Sequence, residues 1–136
     1  MHTVGTFDPE SLEEAREQYE SVAPAAGTVV REVARAMEFD REEFGDRVTE
    51  DVIETAHDAL FASLLAVTVS TREEYDDWIE GYDGDVTEVG HDHAANVVWH
   101  AGPEDEAVAA TFNDQEEAAV ATLRRQAFGR IYRARF

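Results

Sequence analysis

The chain has 136 residues, 43% of them hydrophobic, with 31 acidic side chains against 11 basic ones and a formal charge of −20. It contains no cysteine, and all 11 basic residues are arginine, so lysine is absent as well. These absences exclude disulfides, thiolate nucleophiles and Cys-ligated metals, together with Schiff-base, pyridoxal-phosphate and P-loop lysine chemistry. In chain order, Asp8 and Pro9 read as an N-cap and first-turn proline that open a helix at about Pro9 to Val22. Its apolar positions are Leu12, Ala15, Tyr19 and Val22. Pro24 opens a second helix with an apolar face of Ala26, Val29, Val30, Val33 and Met37. Asp40 caps a short turn around Phe44 that Gly45 interrupts. A third helix follows from about Thr49, with Val52, Ile53, Ala56, Leu60 and Leu64 on one stripe.

Near Ala66 the pattern turns β-branched and alternating, which predicts a strand up to Ser70. Thr71 and Glu74 form a capping box for a short helix, made amphipathic by Tyr75, Trp78 and Ile79 and ended by Gly81. Strands are predicted at Val86–Val89, Ala95–Ala101 and Glu106–Phe112, the last two joined by a Gly102-Pro103-Glu104-Asp105 turn. A symmetric closure of that turn pairs Trp99 with Val108 and Val97 with Ala110, and sends His100 to the opposite side with Val98. Asn113 to Glu117 start a long helix through about Arg133, with Val120, Leu123, Ala127, Ile131 and Ala134 as its core stripe. The fold class is α+β: an N-terminal three-helix segment, a small antiparallel sheet of three to four strands, and a long C-terminal helix packed on the sheet. One domain covers residues 1–136.

The acids run from Asp8 to Glu117 without clustering. An acidic surface can mimic nucleic acid or meet a basic partner. It can also reflect habitat: in molar salt the Debye length falls to about 3 Å, and like-charge repulsion is largely screened. The even spread favours habitat. No apolar run is long enough to span a membrane, and the N-terminus lacks the basic start and apolar stretch of a signal peptide. The expected location is the cytoplasm.

Candidate chemistry starts with histidine. His91 and His93 flank Asp92 in an extended segment, so both imidazoles point the same way and can reach one divalent metal, with His100 or Asp92 as a further ligand. An H-x-H pair is weak evidence for a site, and an ordinary solvated turn is the favoured reading of it. His57 falls on the polar side of its helix and reads as solvated. Close acid pairs such as Asp76-Asp77 are guaranteed by composition, and none has the supporting residues of a glycosidase or calcium loop. No catalytic residue and no cofactor are implied.

The terminal helix stands apart. Ala118 to Phe136 holds no acid and five of the 11 arginines: Arg124, Arg125, Arg130, Arg133 and Arg135. Phe128, Tyr132 and Phe136 add an aromatic stripe at i, i+4 and i+8. The stripe either widens the core face or, with Arg124, Arg125, Arg130 and Arg133, forms an interaction surface. Five phosphate contacts imply a salt slope of about −4.5, which removes roughly five decades of affinity between dilute and molar salt. Nucleic acid is thereby disfavoured, and a homodimer interface is the preferred reading.

Ala118 through Tyr132, together with Leu60-Phe61-Ala62-Ser63-Leu64-Leu65, resembles a small acidic haloarchaeal protein family of unknown function over most of the chain. That resemblance implies a cytoplasmic, single-domain, acidic protein and brings no activity, cofactor or site residue. The leading expectation is therefore a non-enzymatic interaction module, a homodimer built on the Arg/aromatic terminal helix or a sheet edge. A His-ligated metal protein or metal-dependent enzyme is the alternative, and a nucleic-acid binder the third.

Overall fold

Four of the six helices begin on a side-chain cap that the sequence carries locally. In the computed structural model, which describes residues 1–136, Ser11 caps α1 (Leu12–Ser21), Asp40 caps α3 (Arg41–Arg47) and Thr49 caps α4 (Glu50–Ser63). The first helix thus starts later than the Asp8-Pro9 signal suggests, because Ser11 holds the Glu14 amide. Gly45 does not break α3. Between these lies α2 (Ala23–Ala36), opened by Pro24 in its first turn.

Thr71 completes the anticipated capping box at the start of α5 (Arg72–Glu80). Its hydroxyl accepts from the Glu74 amide at 3.2 Å, and its own amide donates to the Glu74 carboxylate at 2.9 Å. That amide holds the Glu74 carboxyl below the ordinary range. Replacing Thr71 by alanine is expected to cost about 1 kcal/mol, measured as a shift in denaturation midpoint with unchanged cooperativity.

The sheet has five strands in the order β1-β2-β4-β5-β3: β1 (His2–Val4), β2 (Val67–Thr71), β3 (Asp85–Val89), β4 (Asn96–Ala101) and β5 (Glu106–Phe112). It is larger than the predicted three to four strands and is mixed. β3 lies parallel to β5, and every other pair is antiparallel. The β4–β5 register is one residue off the symmetric expectation: Trp99 faces Ala109, Val97 faces Thr111 and His100 faces Val108. The cause is the turn. The Gly102 amide donates to the Glu106 carbonyl at 2.7 Å, so only Pro103, Glu104 and Asp105 remain in the loop. Asp105 takes the left-handed conformation, φ 57°, that closes a three-residue hairpin.

Both faces of the central strands are covered, and alternation along β4 sorts the side chains between two cores. Val98, Val108 and Ala110 face α1, α4 and α6 (Glu116–Ala127) with Phe61, Leu65, Leu123 and Phe128. Val97, Trp99 and Ala109 face α5, where Tyr75 and Trp78 cover them. Trp78 stacks on Trp99 with centroids 4.7 Å apart. α2 packs mainly on α4 and lies outside the layer that covers the sheet.

Beyond Ala127 the long helix changes character. Phe128–Tyr132 form a π-helical turn and Arg133–Arg135 a 3-10 turn. The wider turn alters the helical phase, and Phe128, Ile131 and Tyr132 all point inward.

Candidate functional site

The structure divides the seven residues proposed for the terminal-helix surface. Phe128 and Tyr132 are 2% and 0% exposed, so the aromatic stripe widens the core and cannot anchor a partner. Phe136 is 38% exposed and stacks over Tyr132 and Tyr19. Arg124 is tied down: Nε donates to the Leu65 carbonyl at 2.9 Å and Nη2 to the Val4 carbonyl at 3.2 Å. Arg125, Arg130 and Arg133 remain on the surface. The sheet edges are guarded as well. β1 has three residues, and β3 turns Glu88 toward Arg72 and Tyr75.

The histidines do not converge. His91 and His93 sit exposed in the loop before β4, whereas His100 is buried near the far end of that strand. Its Nδ1 donates to the Ala66 carbonyl at 2.6 Å. Nε2 therefore accepts from the Tyr132 hydroxyl, also at 2.6 Å. Both ring nitrogens are used, and no group of three His, Asp or Glu side chains is placed to hold a metal ion. Burial holds the His100 pKa below its ordinary value and pushes that of Tyr132 up, so the pair is neutral. His57 is half-buried rather than solvated. It donates to the Tyr19 carbonyl at 2.6 Å and stacks on the Tyr19 ring at 3.7 Å, while the Tyr19 hydroxyl donates to Asp58.

The least expected surface lies on α2, α3 and α4. Of nine exposed large hydrophobic residues in the chain, six are here: Val29, Val33, Met37, Phe44, Val52 and Ile53. A groove of about 360 Å³ runs between these helices, lined almost wholly by apolar side chains, with Arg47 as its one charged residue. The apolar stripes of the second and third predicted helices thus continue past the core, and their outer halves stay open. Periodicity identifies an apolar face but not what covers it.

Residues 6–133 match the model of a family described as Family of unknown function (DUF5809). The chain belongs to that family. No curated protein and no solved structure matches it. No helix of this DUF5809 protein is long and apolar enough to cross a membrane.

Arginine pairing in this DUF5809 chain is also uneven. Only Arg35, Arg72 and Arg135 form ion pairs with carboxylates, to Glu32, Glu88 and Glu104. Arg16 donates to the Arg135 carbonyl, and Arg124 holds the two carbonyls named above. Arg31, Arg41, Arg47, Arg125, Arg130 and Arg133 have no acidic partner. Two of them, Arg125 and Arg133, line one cleft between α4 and the terminal helix.

Proposed function

We propose that this protein is a non-enzymatic interaction module that acts as a homodimer in a salt-rich cytoplasm. Its pairing surface is the open face of α2, α3 and α4 rather than the terminal helix. The observation that carries this reading is the clustering of six exposed large apolar side chains on those three helices. They expose on the order of 500 Å², in the range of the largest apolar patch on a monomer, a patch that is often functional. A polar rim around such a patch brings it to the roughly 800 Å² per partner of a stable interface.

Charge points to a second copy as the occupant. The segment that carries the groove, residues 29–56, holds four arginines (Arg31, Arg35, Arg41 and Arg47) among nine acids, so both signs occur there although acids remain in excess. A two-fold axis sets such a rim against itself with opposite charges facing. Arg41 and Arg47, without acids in their own chain, then find them in the partner. Molar salt screens the rim pairs as well as the repulsion between two −20 protomers, so apolar burial supplies the affinity and the rim charges the register.

Native mass spectrometry and light scattering of untagged protein test this directly. The expected result is a dimer in about 2 M KCl that dissociates on dilution into about 0.1 M salt. Replacing Val33 and Met37 by glutamate is expected to give a monomer with unchanged circular dichroism. A monomer at every concentration in molar salt, or a dimer indifferent to both replacements, overturns the reading.

A further inference from the structure

The cleft between α4 and the terminal helix has a volume of about 340 Å³, within the range of small-ligand sites. Its lining shares no residue with the α2–α4 groove. The apolar part of the lining is Ala59, Ala62 and Phe128, of which Ala62 and Phe128 are buried. Thr55 and Asp58 contribute from α4, and Arg125 and Arg133 face them from the terminal helix.

Neither guanidinium has a carboxylate partner. Arg125 makes one long hydrogen bond, 3.4 Å to the Thr122 hydroxyl. Arg133 lies over the Phe128 ring at 5.3 Å and donates to nothing in the chain. Asp58 lines the same cleft but stands beyond ion-pair distance of both, its Oδ1 held by the Tyr19 hydroxyl at 2.6 Å. With 31 carboxylates available for 11 arginines, two unpaired guanidiniums on one cleft are not a result of scarcity. Gly129 lies between them in sequence. A Cβ there would meet only Arg133 Nη1 within 4 Å, so no side chain fills the space between the two arginines from that position.

We propose that this cleft binds an oxyanion, the carboxylate or phosphate of a small and partly apolar molecule, between Arg125 and Arg133. Each guanidinium offers a planar fork of donors that matches two anion oxygens. Phe128, Ala59 and Ala62 receive the apolar body of the ligand. Asp58, turned toward Tyr19, adds one acceptor at the margin and favours a ligand with a donor group beside its anion.

Inorganic phosphate and phenylacetate are the probes, titrated separately into isotope-labelled full-length protein at constant chloride. Saturable shifts are expected at the amides of Ala59, Ala62 and Gly129 with at least one probe. Arg125→Gln and Arg133→Gln are each expected to weaken binding about tenfold with little change in Tm, because both side chains are exposed, carry no internal ion pair and give up at most the Arg133–Phe128 contact. Response to phosphate alone identifies a phosphoryl ligand, response to phenylacetate alone an apolar carboxylate, and each supports the site. No saturable shift with either probe at millimolar concentration overturns the proposal, as does binding that survives the double replacement. Neither readout depends on oligomeric state, so failure of the dimer and failure of this site are separate results.

Discussion

Phe61→Ala is expected to destabilise the fold by about 3–5 kcal/mol, the largest effect of any single truncation in the main core. Phe61 is fully buried at the base of α4, and five other rings converge on it. Phe7, Tyr19, Phe128, Tyr132 and Phe136 have centroids 5.5–5.9 Å from its own, mostly edge-on. Alanine there removes the transfer free energy of one aromatic side chain and leaves a hole that α1, α4 and the π-helical turn cannot all close on. Edge-to-face pairs add to that loss. A domain of this size is stable by about 5–15 kcal/mol, so the variant sits near its unfolding midpoint in mild denaturant. Equilibrium denaturation in molar KCl measures it, and Phe61→Leu, which retains most of the volume, is expected to lose far less. A cost below about 1 kcal/mol for alanine would mean that the aromatic cluster does not hold these elements together.

The second large effect is a pH dependence centred on His100. Its ring is 1% exposed, and burial is the principal reason its pKa lies below the ordinary 6.5; Asp8 and the Ala66 carbonyl pull the other way. In the unfolded chain the imidazole takes up a proton as pH falls through about 6.5, whereas the folded protein resists it. The unfolded state then binds more protons. Stability contributed by the neutral ring is complete above that pH and is lost as pH drops toward the depressed native value, with a slope of up to about 1.4 kcal/mol per pH unit. Unfolding free energies between pH 7.5 and 5, where carboxylates remain ionised, are expected to fall with this slope in the native chain and to flatten in His100→Gln. Tyr132→Phe leaves Nε2 without its donor in a dry core and is expected to cost about 1–3 kcal/mol at neutral pH. An unchanged pH slope in His100→Gln would remove the assignment.

How far the chain reads from its sequence depends on whether the deciding interaction is local. The caps at Asp40 and Thr71 and the stop at Gly81 are three-residue effects, and the structure has them where the spacing puts them. β1 is different: three residues pair with β2 across more than sixty intervening positions, and nothing near His2 signals it. The parallel pairing of β3 with β5 is equally non-local. The β4–β5 register turned on one backbone angle at Asp105, a residue that tolerates the left-handed region without announcing it. The aromatic stripe of the terminal helix is visible in the sequence, but its fate follows from the π-helical turn that rotates Phe128 and Tyr132 into the core. The open face of α2 is the converse case. Val29 and Val33 have the same spacing as core residues, and only the position of α2 outside the sheet-covering layer leaves them bare.

Arg124 bears on how the molecule closes. Its contact with the Val4 carbonyl spans 120 residues, and bringing such distant points together costs about 2 kcal/mol more than closing a ten-residue loop. That difference is small once the rest of the sheet exists, yet it is met before any compensating bond is made. The Arg124–Val4 contact is therefore expected to form on the late side of the folding barrier, so that Arg124→Gln speeds unfolding more than it slows folding. Bonds formed there do little for the rate of folding; they lengthen the lifetime of the folded state.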